Sequence, residues 1–286
     1  MIEKNKENKN TSKTTGHEWD GISEYNIPAP RWWLIVWIVC IVWALIYWVF
    51  YPTWPVPGGH SKGILNWSQQ SQLNESQMEI TEKKSTYLEK ISKMSLQEIQ
   101  KDPNLMEFAL NGGRASFKEN CAGCHGSGAQ GSKGFPNLND DDWLWGGTLD
   151  QIQQTLYYGI RSGHDKARTS QMPSFGLDKI LTKKEISDVV DHVISLAQTD
   201  KVGNENGAKI FASNCASCHG LKGEGNRSVG APNLSDAIWL YGKEKSEITF
   251  SVYYAYAGVM PYWTGRLDEN TIKQLALYVH SLGGGE

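Results

Sequence analysis

The sequence of 286 residues lacks a strong net charge, and from residue 104 onward it lacks strand-length stretches of alternating apolar and polar residues. A formal charge of −3 at pH 7 gives no indication of nucleic acid or of an acidic surface as a partner. The missing alternation excludes a mainly β fold in that region and favours a mainly α fold. The length is sufficient for about two domains with cores of their own.

Charged residues are also absent between Trp32 and Tyr51, an apolar run of about 20 residues with aromatic side chains near both ends. At ~1.5 Å per helical residue this run spans ~30 Å, the thickness of the hydrocarbon region of a bilayer. The run is too long for a signal peptide and has too few polar residues for a core helix. It therefore predicts one transmembrane helix over 31–52, which Pro52 ends.

Basic residues lie mainly on the N-terminal side of this run. Lys13 and Arg31 precede it closely, whereas only Lys62 follows it closely. By the positive-inside rule the N-terminus is expected to be cytoplasmic, and everything after Tyr51 is expected outside. Cys40, in the middle of the span, is interpreted as an ordinary small apolar residue.

Polar composition marks the regions on both sides of the predicted span. Residues 1–30 have too little apolar content to become ordered, so they predict a flexible cytoplasmic N-terminus. Residues 53–103 predict a polar linker with one weakly amphipathic helix. Asp102 and Pro103 are typical of the N-cap and first position of the next helix, and the Asn-Gly-Gly sequence at 111–113 is typical of its end.

The remainder of the chain is an internal duplication, which predicts two mainly α domains at 104–198 and 201–286. The copies differ mainly in an extra stretch, 160–171, in the first. The matches, in the same order in both copies, are Gly113 to Gly126 with Gly207 to Gly220, Pro136-Asn137-Leu138 with Pro232-Asn233-Leu234, Trp143 with Trp239, Met172-Pro173 with Met260-Pro261, and a final amphipathic helix at 182–196 with one at 268–282.

Four of the five cysteines lie in two Cys-x-x-Cys-His pentads. On one helical turn, cysteines at i and i+3 reach the two vinyl groups of a haem, and a histidine at i+4 faces the iron. A four-cysteine zinc site would have its pairs about 15–20 residues apart, and a thioredoxin-type dithiol would lie in a strand-helix-strand unit that is missing here. The pentads predict two covalently bound haem c groups. The attachment residues are Cys121, Cys124, Cys215 and Cys218, and the axial histidines are His125 and His219.

Met172 and Met260 are predicted as the remaining axial ligands, because they recur in both copies, each before a proline and downstream of a pentad. The spacing leaves open whether each methionine pairs with the haem of its own copy. An alternative for the first haem is His164, in the extra stretch, which would give bis-histidine ligation and a lower potential. Methionine ligation and an apolar shell raise the potential, and an iron with both axial positions filled has no site for oxygen or peroxide. No catalytic residue is therefore predicted.

Two prolines follow the axial histidines at a distance suited to an orienting hydrogen bond. The backbone carbonyl of Pro136 or Pro232 would face the ring N–H of His125 or His219 and fix its tautomer. The alternative is that each proline only forms a turn.

Two tryptophans and one further histidine are less specific. Trp143 and Trp239 are interpreted either as pocket residues that reach a haem propionate or as plain core residues. His192 aligns with Tyr278, and it is expected to pack on the final helix facing Phe117.

Longer motifs surround these residues. They are His17-Glu-Trp-Asp-Gly-Ile22, Pro30-Arg-Trp-Trp33, Tyr51-Pro-Thr-Trp-Pro55, Cys121-Ala-Gly-Cys-His-Gly-Ser-Gly-Ala-Gln-Gly131, Arg161-Ser-Gly-His164, Gly223-Glu-Gly225 and Ala231-Pro-Asn-Leu234. Together they resemble the dihaem subunit, called CcoP or FixP, of cbb3-type cytochrome c oxidases. The resemblance runs from His17 to the C-terminus.

The resemblance implies two tandem class I-like cytochrome c domains on the periplasmic side of a bacterial inner membrane. It implies that the chain accepts electrons from a donor cytochrome c and passes them to a monohaem subunit and on to the oxygen-reducing subunit, in a complex with a small membrane subunit. Respiration at low oxygen, with proton pumping elsewhere in the complex, follows from the same resemblance. Two other functions stay open: a free-standing membrane-anchored dihaem shuttle, and a dihaem peroxidase in which one haem lacks methionine.

Overall fold

The computed structural model describes residues 14–198 and 203–285, which divide into one compact unit ending at Lys83 and a second beginning at Lys84. The described strands are β1 (Thr14–Trp19), β2 (Ile22–Tyr25), β3 (Pro55–Val56) and β4 (Gly59–His60). The described helices are α1 (Arg31–Phe50), α2 (Gln69–Lys93), α3 (Leu96–Lys101), α4 (Pro103–Asn120), α5 (Ala122–His125), α6 (Leu149–Tyr158), α7 (Lys183–Ala197), α8 (Glu205–Asn214), α9 (Ala216–His219), α10 (Lys245–Tyr254) and α11 (Glu269–His280).

The N-terminal unit contains a hairpin where a flexible segment was expected. β1 pairs antiparallel with β2, and Trp19 lies opposite Ile22 across the turn. Asp20 and Gly21 have φ angles of 49° and 83°, the geometry of a two-residue turn whose twist matches that of paired strands. An Asp-Gly pair between two apolar residues is the signal that the composition argument missed. Residues 1–13 lie outside the described part of the chain.

The helix α1 has the length and surface expected of a membrane span. Its mean hydropathy is 2.5, and none of its residues is buried against other parts of the described chain. Apolar side chains therefore cover its whole circumference, as on a helix surrounded by lipid. Among the described residues it is the one helix long and apolar enough to cross a membrane.

The C-terminal unit is mainly helical, as predicted, but its helices pair crosswise. The first helix of the first copy, α4, packs against the last helix of the second copy, α11. Likewise α8, the first helix of the second copy, packs against α7, the last helix of the first. We call α3, α4, α5, α6 and α11 the Cys121 half, and α7, α8, α9 and α10 the Cys215 half.

Chain connectivity accounts for this exchange. Only residues 198–204 separate α7 from α8, and so short a connection favours packing of the two helices on each other. The corresponding face of α4 is then free for α11, whose sequence repeats that of α7. The packing thus differs from two domains divided near 198–201, because each half contains helices from both copies.

Each half has a core of its own. Large buried side chains of the Cys121 half are Leu105, Phe117, Leu149, Ile152, Leu156, Ile272, Leu275 and Leu277. Those of the Cys215 half are Phe175, Ile186, Val189, Val190, Val193, Phe211, Ile248 and Val252.

The end of the predicted linker belongs to the Cys121 half. Ile91 and Ile99 are fully buried in its core, so the compact region begins well before residue 104. The ammonium group of Lys273, in α11, donates to the carbonyl oxygens of Ile91, Ser92 and Met94 at 2.9, 3.2 and 2.8 Å. These bonds satisfy acceptors at the end of α2 that have no partner within the helix.

The helix starts follow the local sequence. Asp102 caps α4 by accepting hydrogen bonds from the amides of Asn104 and Leu105, and Pro103 occupies the first turn, as predicted. The side chain of Thr182 forms a capping box at the start of α7.

Two equivalent glycines allow the crosswise contacts. A Cβ atom on Gly113 would overlap the backbone oxygen of Gln274 in α11, and one on Gly207 would overlap that of Asp188 in α7. The predicted end of α4 at 111–113 is therefore wrong, since α4 continues to Asn120. The glycines there serve close approach of two helices, which overrides their weak helix propensity.

Replacement of Gly113 by valine is expected to lower the free energy of unfolding by about 2–3 kcal/mol, because the added side chain meets the backbone of α11. Thermal or denaturant unfolding of the detergent-solubilised protein, followed by far-UV circular dichroism, measures this. Gly123→Val is the control, since a Cβ atom at Gly123 has no neighbour within 4 Å and the second copy carries Ser217 there. Equal stability of the two variants would contradict the close α4–α11 contact.

Candidate cytochrome centre

Each pentad forms one helical turn directly after a longer helix. The amides of Cys124 and His125 donate to the carbonyl oxygen of Cys121 at 3.1 and 3.0 Å. The second pentad repeats this geometry, with Cys218 and its following histidine bonded to Cys215 at 3.1 and 3.0 Å. The two cysteines of each pentad thus lie on one face of a turn, as thioether attachment requires.

The histidines of the two pentads are oriented by the predicted carbonyl groups. The Nδ1 atom of His125 lies 3.0 Å from the oxygen of Pro136, and that of His219 lies 3.0 Å from the oxygen of Pro232. A carbonyl only accepts, so Nδ1 carries the proton and Nε2 keeps the lone pair that binds a metal. Burial lowers the pKa of both rings, although the hydrogen bond to the proline carbonyl acts in the opposite direction. The lowered pKa favours the neutral, metal-binding form of the ring. The interpretation of the two prolines as orienting residues is confirmed.

The buried thiols do not suit the competing chemistries. Burial raises the pKa of the Cys121 and Cys215 thiols to about 11, and the neighbouring Cys124 or Cys218 adds to the shift. A free thiol of this kind stays protonated at neutral pH, unlike the reactive thiolate of a dithiol oxidoreductase. Within residues 14–198 and 203–285, no three His, Cys, Asp or Glu side chains cluster as a metal site would need.

A cavity of about 480 Å³ opens beside the second pentad. Its lining includes Cys215, Cys218 and His219 from the second copy and Met172 from the first. The volume lies in the range of sites for bound organic groups. Apolar side chains from the core of the Cys215 half also line the cavity. A large flat apolar group bonded to Cys215 and Cys218 therefore fits the residues present.

The first pentad has the complementary arrangement. Met260, from the second copy, packs against the core that contains Cys121. Met172 packs against the core of the Cys215 half, beside Cys215. Each methionine therefore lies with the pentad of the other copy, a pairing that follows from the exchange of α7 and α11.

His164, the alternative ligand of the first haem, lies among aromatic side chains. Its ring lies between Tyr158 and Tyr262, at centroid distances of 4.9 and 5.4 Å. Its Nδ1 atom accepts a hydrogen bond of 3.0 Å from the amide of Lys166. His164 does not line the cavity beside Cys215.

The two tryptophans have different environments. Trp143 packs against the Cys121 core, and its N–H donates to the carbonyl oxygen of Gly284, so the core interpretation describes it. Trp239 lines the cavity beside the second pentad and also packs against the core of that half.

The position of His192 corrects one expectation. Its ring packs on Phe211 at a centroid distance of 5.4 Å, whereas Phe117 packs on Tyr278 at 5.5 Å. The prediction that His192 faces Phe117 was wrong, because it assumed that each final helix returns to its own copy.

One loop touches both sites. Residues 130–144 of the first copy include Pro136, which orients His125, and side chains that line the cavity beside the second pentad. Lys133 on this loop forms an ion pair with Glu247 of α10. Asp142 and Arg161 also line the cavity. From the sequence, Asp142 is not singled out and Arg161 stands only in a family motif, because no spacing rule connects either residue with a pentad so far along the chain.

Comparison with known proteins decides the family. The N-terminal domain of cytochrome oxidase-cbb3, FixP, matches residues 11–57, cytochrome c matches 110–197, and cytochrome C oxidase, cbb3-type, subunit III, matches 203–279. A FixP subunit of Bradyrhizobium sp. (strain ORS 278) is 50% identical over 96% of this chain and 95% of its own length. The chain belongs to the FixP/CcoP family of cbb3-type cytochrome c oxidase subunits.

Other relatives agree over the same extent. A CcoP subunit of Cereibacter sphaeroides is 48% identical over 96% of this chain and 95% of its own length, and one of Azospirillum brasilense is 44% identical over the full length of both. Family membership confirms the resemblance found in the motifs. It also makes the chain a membrane-anchored electron-transfer subunit whose cytochrome c domains carry covalently bound haem c.

Proposed function

We propose that this chain is the electron-entry subunit of a cbb3-type oxidase and carries one haem c at each pentad. It accepts electrons from a donor cytochrome c and passes them to the monohaem subunit and on to the oxygen-reducing subunit, in aerobic or microaerobic respiration. The observation that carries this proposal is the presence of two oriented histidines, each with a methionine at the same pentad, within one compact unit. The chain itself contributes no catalytic residue.

The ligand sets that we propose are crosswise. Cys121 and Cys124 would attach the first haem, and His125 and Met260 would bind its iron. Cys215 and Cys218 would attach the second, and His219 and Met172 would bind its iron. A haem bound in this way takes up and releases one electron, and the thioether favours the reduced state. The role of the chain is to orient the two rings of histidine, to exclude water and to fill the sixth position, which leaves no open site for oxygen.

The membrane arrangement follows the same reasoning. The span α1 lies in the inner membrane of a bacterium, the N-terminus is cytoplasmic, and the haem domains are periplasmic, where covalent haem attachment takes place. Partners in the bilayer are the oxygen-reducing subunit, the monohaem subunit and a small membrane subunit. The exposed apolar circumference of α1 supports such contacts with lipid or neighbouring helices.

Purification in mild detergent tests this function against a free-standing membrane-anchored shuttle. A chain tagged at its C-terminus and isolated from its own membranes is expected to bring with it copper and b-type haem in a fixed ratio to haem c. A version in which a cleavable export signal replaces residues 1–57, so that haem attachment outside the membrane is kept, is the control for association through the membrane span, and it should lose most of the copper. Isolation of the full chain with haem c alone would favour the shuttle.

Exchange of one methionine tests the crosswise ligands. In protein with Cys215→Ala and Cys218→Ala, only the first haem remains, and Met260→His is expected to lower its midpoint potential by the order of 100 mV, because imidazole stabilises ferric iron more than a thioether does. Met172→His in the same background is the control and should leave the potential nearly unchanged. Spectroelectrochemical titration measures both, and the opposite pattern would assign each methionine to its own copy.

Asp142 gives the second site a pH dependence. Burial raises the pKa of its carboxyl group to about 6, and the carboxylates of Asp236 and Asp140 add to the shift. Asp142 lines the cavity beside Cys215, so its negative charge above about pH 6 favours the ferric state there. The potential of the second haem is therefore expected to fall by a few tens of millivolts between about pH 5 and 7, less than the ~59 mV per unit of a fully coupled proton.

Redox titrations at several pH values, in protein with Cys121→Ala and Cys124→Ala, measure this dependence. Asp142→Asn should abolish it and keep the potential near the value at low pH. Asp165→Asn removes an exposed carboxylate that does not line the cavity and serves as the control. A pH dependence that persists unchanged in Asp142→Asn would rule out this residue as its source.

A further inference from the structure

The side chain of Arg161 joins the two methionine-bearing segments. Its Nε atom donates to the carbonyl oxygen of Gly258 at 2.7 Å, and its Nη1 atom donates to the carbonyl oxygen of Ser170 at 2.7 Å. Gly258 lies two residues before Met260, and Ser170 lies two residues before Met172. One guanidinium group therefore holds equivalent positions on both segments.

The backbone next to Arg161 makes the same connection. Ile160 and Met260 exchange two hydrogen bonds of 3.0 Å, amide to carbonyl in both directions. The amide of Arg161 donates at 2.7 Å to the carbonyl of Arg168, on the irregular segment that leads to Met172. The extra stretch of the first copy is thus the place where both segments are fastened.

The geometry of Arg161 is specific to its side chain. Its φ angle of 50° is in the left-handed region, which is unfavourable for a residue with a Cβ atom and needs support from the surroundings. Both acceptors of its guanidinium group are neutral carbonyl groups. The guanidinium of Arg161 donates from two different nitrogen atoms in two fixed directions, whereas a lysine at this position would offer a single nitrogen atom without that fixed geometry.

We propose that Arg161 is a positioning residue that holds the Met172 and Met260 segments together, so that the binding of both methionines to their haem irons depends on one side chain. This inference rests on the ligand sets proposed above. Loss of the guanidinium frees two carbonyl groups at once, and each methionine then leaves its iron more often. Opening at one centre also withdraws support from the other, which couples the two centres without a contact between the methionines.

The first measurement is amide hydrogen exchange of the intact, haem-loaded protein, read by mass spectrometry. In Arg161→Gln, amide exchange is expected to rise about tenfold or more in two sets of peptides, those that cover 168–172 and those that cover 258–260. The reason is the loss of two charge-assisted hydrogen bonds. Arg161→Lys should show most of the same increase. Arg266→Gln is the matched control, because Arg266 stacks over Tyr262 in the same region and bonds to neither carbonyl.

The second measurement is the rate of cyanide binding to the ferric protein, which requires the methionine to leave the iron. It is made in the Met260→His background, where only Met172 remains, and in the Met172→His background, where only Met260 remains. Arg161→Gln is expected to raise the rate about tenfold in both backgrounds, and Arg266→Gln in neither.

The outcomes separate this proposal from the proposed function. An increase in exchange or in cyanide binding at one segment only, or an equal increase in Arg266→Gln, would overturn the role of Arg161. Absence of the methionine–iron charge-transfer band from the unaltered ferric protein would instead remove the proposed ligands, and hydrogen exchange at the two segments would still decide whether Arg161 joins them.

Discussion

The contact of α4 with α11, and its counterpart between α7 and α8, determines the rest of the C-terminal unit. Gly113 and Gly207 allow these helices to approach at the level of their backbones. The short connection at 198–204 makes α8 the neighbour of α7, and this leaves α11 to complete the half that begins with α4. Each half therefore needs both copies of the repeat, so neither copy alone supplies a complete core around its pentad.

The chemistry of the site could be predicted because it is local. A cysteine, a second cysteine three residues later and a histidine at the next position fix their own geometry within one helical turn, whatever surrounds it. The orienting carbonyls of Pro136 and Pro232 could also be predicted, since the same Pro-Asn-Leu sequence follows the histidine by 11 residues in the first copy and by 13 in the second. For the same reason the cap at Asp102 could be predicted from the Asp102-Pro103 pair.

The sequence could not predict which final helix packs on which first helix, or which methionine lies with which pentad, because these contacts join residues far apart in the chain. A repeat shows which residues are equivalent, but the core of either half accepts the final helix of either copy, so the sequence pattern of α7 and α11 does not choose between them. His192 was placed on the wrong phenylalanine for this reason. Asp142 lines a cavity that both copies build, and Arg161 bonds to segments of both copies, so neither environment follows from local sequence. Gly112-Gly113 has the composition of a helix end although it lies at a helix crossing.

In the proposed centres each haem takes its histidine from one copy and its methionine from the other. A high-resolution structure of the protein with haem attached tests this pairing most directly. We expect the Nε2 atom of His125 and the sulfur of Met260 on the iron of the haem bound to Cys121 and Cys124. The sulfur of Met172 on that same iron would contradict it.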